Sequence, residues 1–295
     1  MREHSQTPTG LSRRRPRLSD QETERRMLDA ALAMVNRTGL TVSLEHISFE
    51  DVIHDAEVSR SAVYRRWPYK DLFFSDLLKE LARAAAPAAA VNAETTRETL
   101  RAIVAAHSGG HATAAGRHDL LSELIRLGVT KDFEDVHSST EWRTYLALHA
   151  TFLSLPAGEL RDEIQTALTR SEQGFTGRIA WSWQHMATLV GYRLRPEAGG
   201  DFTTIATLVS AAMRGMVTMA LSNPDLRTWR VRANPTGASA PADWSLVGLS
   251  TASVAMAFLE PDPDVEWDDQ RMASLQRLLD TELTDATMTD PLSGP

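Results

Sequence analysis

Residues 47–78 read ISFEDVIHDAEVSRSAVYRRWPYKDLFFSDLL, and their spacing decides the fold of the N-terminal third. Ser48 stands where a helix N-cap is expected, with Asp51 three positions on. Phe49, Val52, Ile53 and Ala56 recur at helical spacing and mark an inward face. Glu57–Val58–Ser59 turns the chain, and Ser59 is the expected cap of a second helix. Val63 and Trp67 lie i, i+4 on one side of that helix. Pro68 stops it, because proline removes the amide the next turn needs. A short helix, a three-residue turn and a second helix make a helix-turn-helix unit. Opposite Val63 and Trp67 the second helix shows Arg60, Ser61, Ala62, Tyr64 and Arg65. Small and long polar groups of this kind suit phosphates and base edges. The plainer reading is two short core helices with solvated arginines.

Working outward, a first helix is expected over about Asp20–Arg37, capped by Ser19 with Glu22 completing a capping box, and ended by Gly39. The segment after Pro68 predicts a further helix from near Lys70 through Leu72, Phe73, Leu77, Leu78 and Leu81. This whole stretch, about 20–83, resembles the DNA-binding domain of TetR-type (TetR/AcrR) transcriptional regulators. The residues that carry the resemblance are Ser48, Val52–Ile53, Ala56–Glu57–Val58, Ser59, Val63, Tyr64, Trp67 and Lys70. The chain departs from the family pattern at Glu57, where Gly is usual, and in a longer loop between Gly39 and Ser48. The resemblance implies that Ser48, Tyr64, Arg66 and Lys70 contact phosphates. It implies that Arg60, Ser61 and Arg65 face the major groove, with Ser59 and Ala62 in the same surface. The helical pattern gives an all-α fold, and the resemblance implies a larger C-terminal domain that binds a small effector and forms a homodimer, with ligand-responsive transcription regulation, most often repression. A cytoplasmic location is expected, and the missing catalytic motifs weigh against an enzyme.

Charge supports this division. Residues 1–83 hold 14 Lys+Arg and 13 Asp+Glu, a net of +1, while residues 84–295 hold 17 and 26, a net of −9. A near-neutral unit with clustered arginines precedes an acidic one, which suits a small anion-binding module on a body that stays off polyanions. Residues 1–18 read as a disordered basic arm, in which Arg13, Arg14, Arg15 and Arg17 serve either as a DNA-contacting arm or as a solubilising tail. The DNA-binding domain is expected over 19–86, the effector and dimerisation domain over 87–285, and a disordered tail over 286–295. The chain contains no cysteine, which excludes disulfides, Cys-ligated metals and a Cys nucleophile and fits a reducing compartment. MREHSQTPTG lacks the apolar stretch of a secretory signal, and no uninterrupted apolar run reaches membrane-spanning length.

Beyond Pro87 the pattern stays helical, with no run of alternating strand residues and a Pro/Gly/Ala/Ser-rich loop over 223–243. Aromatics with isolated polar neighbours nominate an effector pocket from Trp142, Tyr145, His149, Trp181, Trp183, His185 and Met186, with Gln184 beside them; such a stripe also suits plain core. The acidic balance favours a neutral or cationic, partly hydrophobic effector. The apolar stripe of 202–221 nominates a dimer helix with Leu208, Ala212, Met213 and Met216 at its interface. His107, His111 and His118 have ligand-like spacing, but Gly109–Gly110 interrupts it, and neither metal nor cofactor is expected. No nucleotide-binding or hydrolase motif appears. Two rival readings stay open: an enzyme with an appended DNA-binding domain, and a ligand-independent accessory DNA-binding protein.

Overall fold

A computed structural model describes residues 18–40, 47–84, 93–106, 113–265 and positions 270, 273, 274 and 277. Expectations about the basic arm, the 87 boundary, His107, His111 and the tail fall outside those residues. The architecture is all-α.

Helix α1 (Asp20–Thr38) starts because the Ser19 side chain accepts from the Glu22 amide. Glu22 does not complete a box; its carboxylate takes Arg25 and Arg26, which hold its pKa down at about 2. Gly39, at φ 81, lets the chain leave the helix where an L side chain is strained. Helices α2 (Phe49–Asp55), α3 (Arg60–Arg66) and α4 (Lys70–Ala84) follow as the spacing predicts. Then come α5 (Ala93–Ala106), α6 (Ala114–Glu123), a π-helical turn at Leu124–Gly128, α7 (Val129–Ser138) and α8 (Thr140–Ser154). Helix α9 (Glu159–Leu189) has 31 residues, a rod about 46 Å long at 1.5 Å per residue. Helices α10 (Phe202–Ser222) and α11 (Leu246–Phe258) complete the bundle.

Among the described residues, four short strands contradict the expectation of none. β1 (Tyr192–Leu194) pairs antiparallel with β4 (Leu259–Pro261). β2 (Arg230–Ala233) pairs antiparallel with β3 (Ala242–Ser245), inside the stretch read as loop. Strands of three or four residues are too short for a period-two pattern to register.

Three apolar clusters hold the molecule together. The first joins Met27, Val35, Val52, Val63, Trp67, Phe73 and Leu77 to Leu148 on α8 and Ile164 and Leu168 on α9. The core of the helix-turn-helix unit therefore continues into the C-terminal helices. The second gathers Ile103, Leu120, Ile205, Trp244 and Leu259, and the third Phe133, Trp142, Tyr145, Phe175 and Val217. Helix α9 contributes to all three. Helix α10 is long and apolar enough by composition to cross a membrane, with a mean hydropathy of 1.4 over its window. Here it packs against α9 and α11 and carries Arg214 in a bidentate ion pair with Glu172.

Candidate nucleic-acid interface

The site begins with two caps and an anchor. Ser48 accepts from the Asp51 amide and Ser59 from the Ala62 amide, so both short helices have satisfied N-termini. Between them Glu57 sits at φ 52, the one non-glycine residue with positive φ among those described. This is the position where the family pattern has Gly, so the turn keeps its left-handed geometry and carries the strain in Glu57. Val63 and Trp67 are fully buried. Trp67 is held edge-on to Phe73 and donates its indole N–H to Asp76 at 2.9 Å. Phe49 reaches Tyr64 edge-to-face at 5.9 Å, which ties α2 to α3.

Anchored in this way, α3 turns Arg60, Ser61, Tyr64 and Arg65 to solvent. Ser61 Oγ lies 3.3 Å from Ser59 Oγ, and Ala62 is half-buried. Lys70 is exposed at the first position of α4. Arg60, Ser61, Tyr64, Arg65 and Lys70 are thus exposed, Ser48 and Ala62 are half-buried, and Arg66 is held by neighbouring carboxylates. Its guanidinium bonds Glu24 at 2.9 Å and Asp76 at 3.3 Å and lies over Trp67. The Glu24 hydrogen bond raises its pKa further. Arg66 is therefore bound into the junction between α1, α3 and α4.

Acidic partners are the feature that sequence reading missed. Glu50, on the first turn of α2, bonds Arg60 at 2.6 Å and accepts from the Tyr64 hydroxyl at 3.4 Å. Asp20 pairs with Arg65. Arg60 and Arg65 thus each carry a carboxylate. Glu50 was open to discovery from its place one short turn away; Asp20 lies 45 residues from its partner and gave no local signal.

A charged path leads from this surface into the C-terminal helices. Asp76 accepts from Trp67 and Arg66 and lies 3.9 Å from Lys79, which pairs with Glu163 of α9 at 2.7 Å. A crevice of about 470 Å³ runs along the α1–α4–α9 junction, lined by Glu24, Asp76, Lys79, Glu80, Glu163 and Arg170 among others. Most of these charges already hold one another, and the lining offers little apolar surface for a lipophilic ligand.

The nominated effector residues separate into three places. Trp142, Tyr145 and His149 come together with Phe175, Glu172 and Arg214 between α8, α9 and α10. Trp181, half exposed, stacks on His185 at 4.9 Å. Trp183 and Met186 belong to the second apolar cluster. Among the nominated dimer residues, Leu208 is exposed, Ala212 is half-buried, and Met213 and Met216 pack on the third cluster. His118 bonds the Thr236 carbonyl and lies 2.8 Å from the hydroxyl of Tyr192. Burial pushes that hydroxyl up to about 12. No group of three or more ligating side chains appears among the described residues.

Comparison with known proteins adds little. No family model and no curated protein matches the chain. A solved structure of a SmeT–triclosan complex is similar at 18% identity, over 83% of this chain and 94% of that one, with a TM-score of 0.36. That is a loose likeness, and the functional reading rests on this chain's own residues.

Proposed function

We propose that this protein is a sequence-specific DNA-binding transcriptional regulator that acts as a homodimer and is released from its site by a small molecule. One observation carries the reading: two capped short helices, joined by a left-handed turn and anchored by Val63 and Trp67, aim Arg60, Ser61, Tyr64 and Arg65 outward together. In the major groove Arg60 donates bidentately to guanine, Arg65 reads an adjacent base edge, and Ser48, Tyr64 and Lys70 hold phosphates. Arg66 braces α3 against α1 and α4 and reaches phosphate only by leaving Glu24.

The carboxylates on this surface set the exchange. Arg60 and Glu50 are both well exposed, and exposed pairs of this kind are worth about 0–1 kcal/mol. A guanine edge or a phosphate replaces Glu50 at small cost. Glu50 also repels the backbone wherever Arg60 finds no proper partner, so the pair penalises non-specific duplex.

Dimerisation is assigned to the outward row of α10. Leu208 and Met219 are 43% and 53% exposed, and a Cβ at Gly215 between them would meet open space. An apolar row on a helix buried over only 33% of its window calls for a second surface. Leu208→Glu with Met219→Glu should give a folded monomer in sedimentation, whereas unchanged mass in a folded variant removes this assignment. Release follows if the effector prefers a dimer geometry whose recognition helices no longer match the half-site spacing. The packing of α4 on α9 and the Lys79–Glu163 pair supply the mechanical link.

The test of the function is selection from a random duplex pool at physiological salt. Enrichment of one near-palindromic sequence supports the reading. A pool that returns without enrichment contradicts it and favours an accessory DNA-binding role.

A further inference from the structure

We infer that the aromatic box between α8, α9 and α10 takes a small planar ligand bearing an sp² oxygen acceptor, a carboxylate or carbonyl carried on an aromatic ring. This rests on the effector reading above and gives that ligand a chemical class. Trp142 and Tyr145 are 3% and 4% exposed. Trp142 Nε1, the Tyr145 hydroxyl and Arg214 Nε are buried with no hydrogen-bond partner. All three belong to one cluster. The Trp142 and Tyr145 rings lie 5.5 Å apart, and the Arg214 guanidinium lies 6.0 and 5.2 Å from them and 5.2 Å from Phe175. Arg178, one turn beyond Phe175 on α9, has an unpartnered Nε as well. Buried polar groups in folded proteins are nearly always satisfied, so a concentration of orphans needs a physical reason.

The chemistry of the orphans selects the ligand. An indole N–H and a guanidinium N–H only donate, and a phenol donates readily. What the site lacks is an acceptor. A cation finds the opposite situation. The position over the three ring faces is occupied by Arg214, whose two terminal nitrogens hold both oxygens of Glu172 at 2.9 Å. A cationic ligand must evict that guanidinium from the rings and from its carboxylate together. An acceptor enters with the ion pair intact. His149 lies against Tyr145 and beside Glu172. Burial, then the Arg214 charge, lowers its pKa, so it adds no positive charge at neutral pH. Met213 and Met216 pack on the same cluster half-buried. Their unbranched side chains change rotamer at small cost and make room for a flat ring. Local donors thus exclude the cationic option that the net charge of −9 over 84–295 suggested, and add an anionic one to the neutral.

Benzoate, benzamide and benzamidine share one shape and differ in what they present, so they form the test. Binding to the full chain is measured by isothermal titration. Benzoate and benzamide are expected to bind and benzamidine is not. Tyr145→Phe removes the hydroxyl and keeps the ring; it should weaken benzoate about tenfold, the loss of one hydrogen bond. The same variant without ligand should melt no lower than the wild type, because the lost hydroxyl had no partner. Benzamidine binding as tightly as benzoate, no binding by any of the three at millimolar concentration, or unchanged benzoate affinity in Tyr145→Phe overturns the class. The duplex from the selection above separates the two ideas. Benzoate that binds without weakening the duplex complex preserves the ligand class and defeats the effector role. Benzamidine that releases the duplex defeats the class and preserves the role.

Discussion

Two arginine–carboxylate pairs in this molecule differ in how far water reaches them. On α3, Arg60 and Glu50 are 72% and 48% exposed in their side chains. Between α9 and α10, Arg214 and Glu172 are 23% and 30% exposed, with aromatic rings on the remaining side. Solvent screens the first pair, so its members exchange partners readily. The second pair cannot lose one member without leaving the other poorly solvated. On the proposed reading, the first arrangement suits a surface that accepts and releases a polyanion, and the second suits a site that keeps its shape around a ligand.

Removing carboxylates tests that contrast, beginning with the largest effect. Glu172→Ala strands Arg214 among the rings and should lower stability by about 2–3 kcal/mol, less than a fully buried pair would lose; denaturant titration measures it. Arg60→Ala should leave stability within about 0.5 kcal/mol while costing about 1–3 kcal/mol in affinity for the selected duplex and relaxing preference at one position of each half-site. Lys70→Ala should weaken all sequences alike and reduce the salt slope by about one. Glu57→Gly relieves the left-handed backbone and should raise the unfolding free energy by about 0.5–1 kcal/mol with duplex affinity unchanged. Glu50→Gln is the smallest change. It should shift stability by under about 1 kcal/mol, tighten binding to scrambled duplex more than to the selected site, and so narrow the ratio between them.

The α2–α3 unit was legible in the sequence because its determinants are local. Ser48 and Ser59 cap the helices that follow them by accepting from amides three residues ahead, Val63 and Trp67 sit one turn apart, and Gly39 ends its own helix. The same locality explains what stayed hidden. Asp20, Glu24 and Asp76 reach α3 from neighbouring helices, and no spacing rule links them to Arg65 and Arg66. Aromatics along α8 and α9 share a composition but not a location, because a helix of 31 residues passes through three clusters. Trp181, Trp183 and Met186 therefore part from Trp142 and Tyr145. Arg214 and Glu172, which organise the aromatic box, lie 42 residues apart and carry no motif. The Met213 and Met216 stripe has the period of an interface, yet its inner side faces the third cluster. Periodicity identifies an apolar face without saying whether the same chain or another one covers it.

The central claim is that α3 reads base sequence. The direct measurement is equilibrium binding of wild type and Arg60→Ala to the selected duplex and to a scrambled duplex across a range of salt. The account predicts that wild type prefers the selected duplex, that both affinities fall steeply with salt through phosphate contacts, and that Arg60→Ala loses affinity for the selected duplex alone. Equal wild-type affinity for both duplexes at physiological salt, or an equal loss on both in Arg60→Ala, would contradict it.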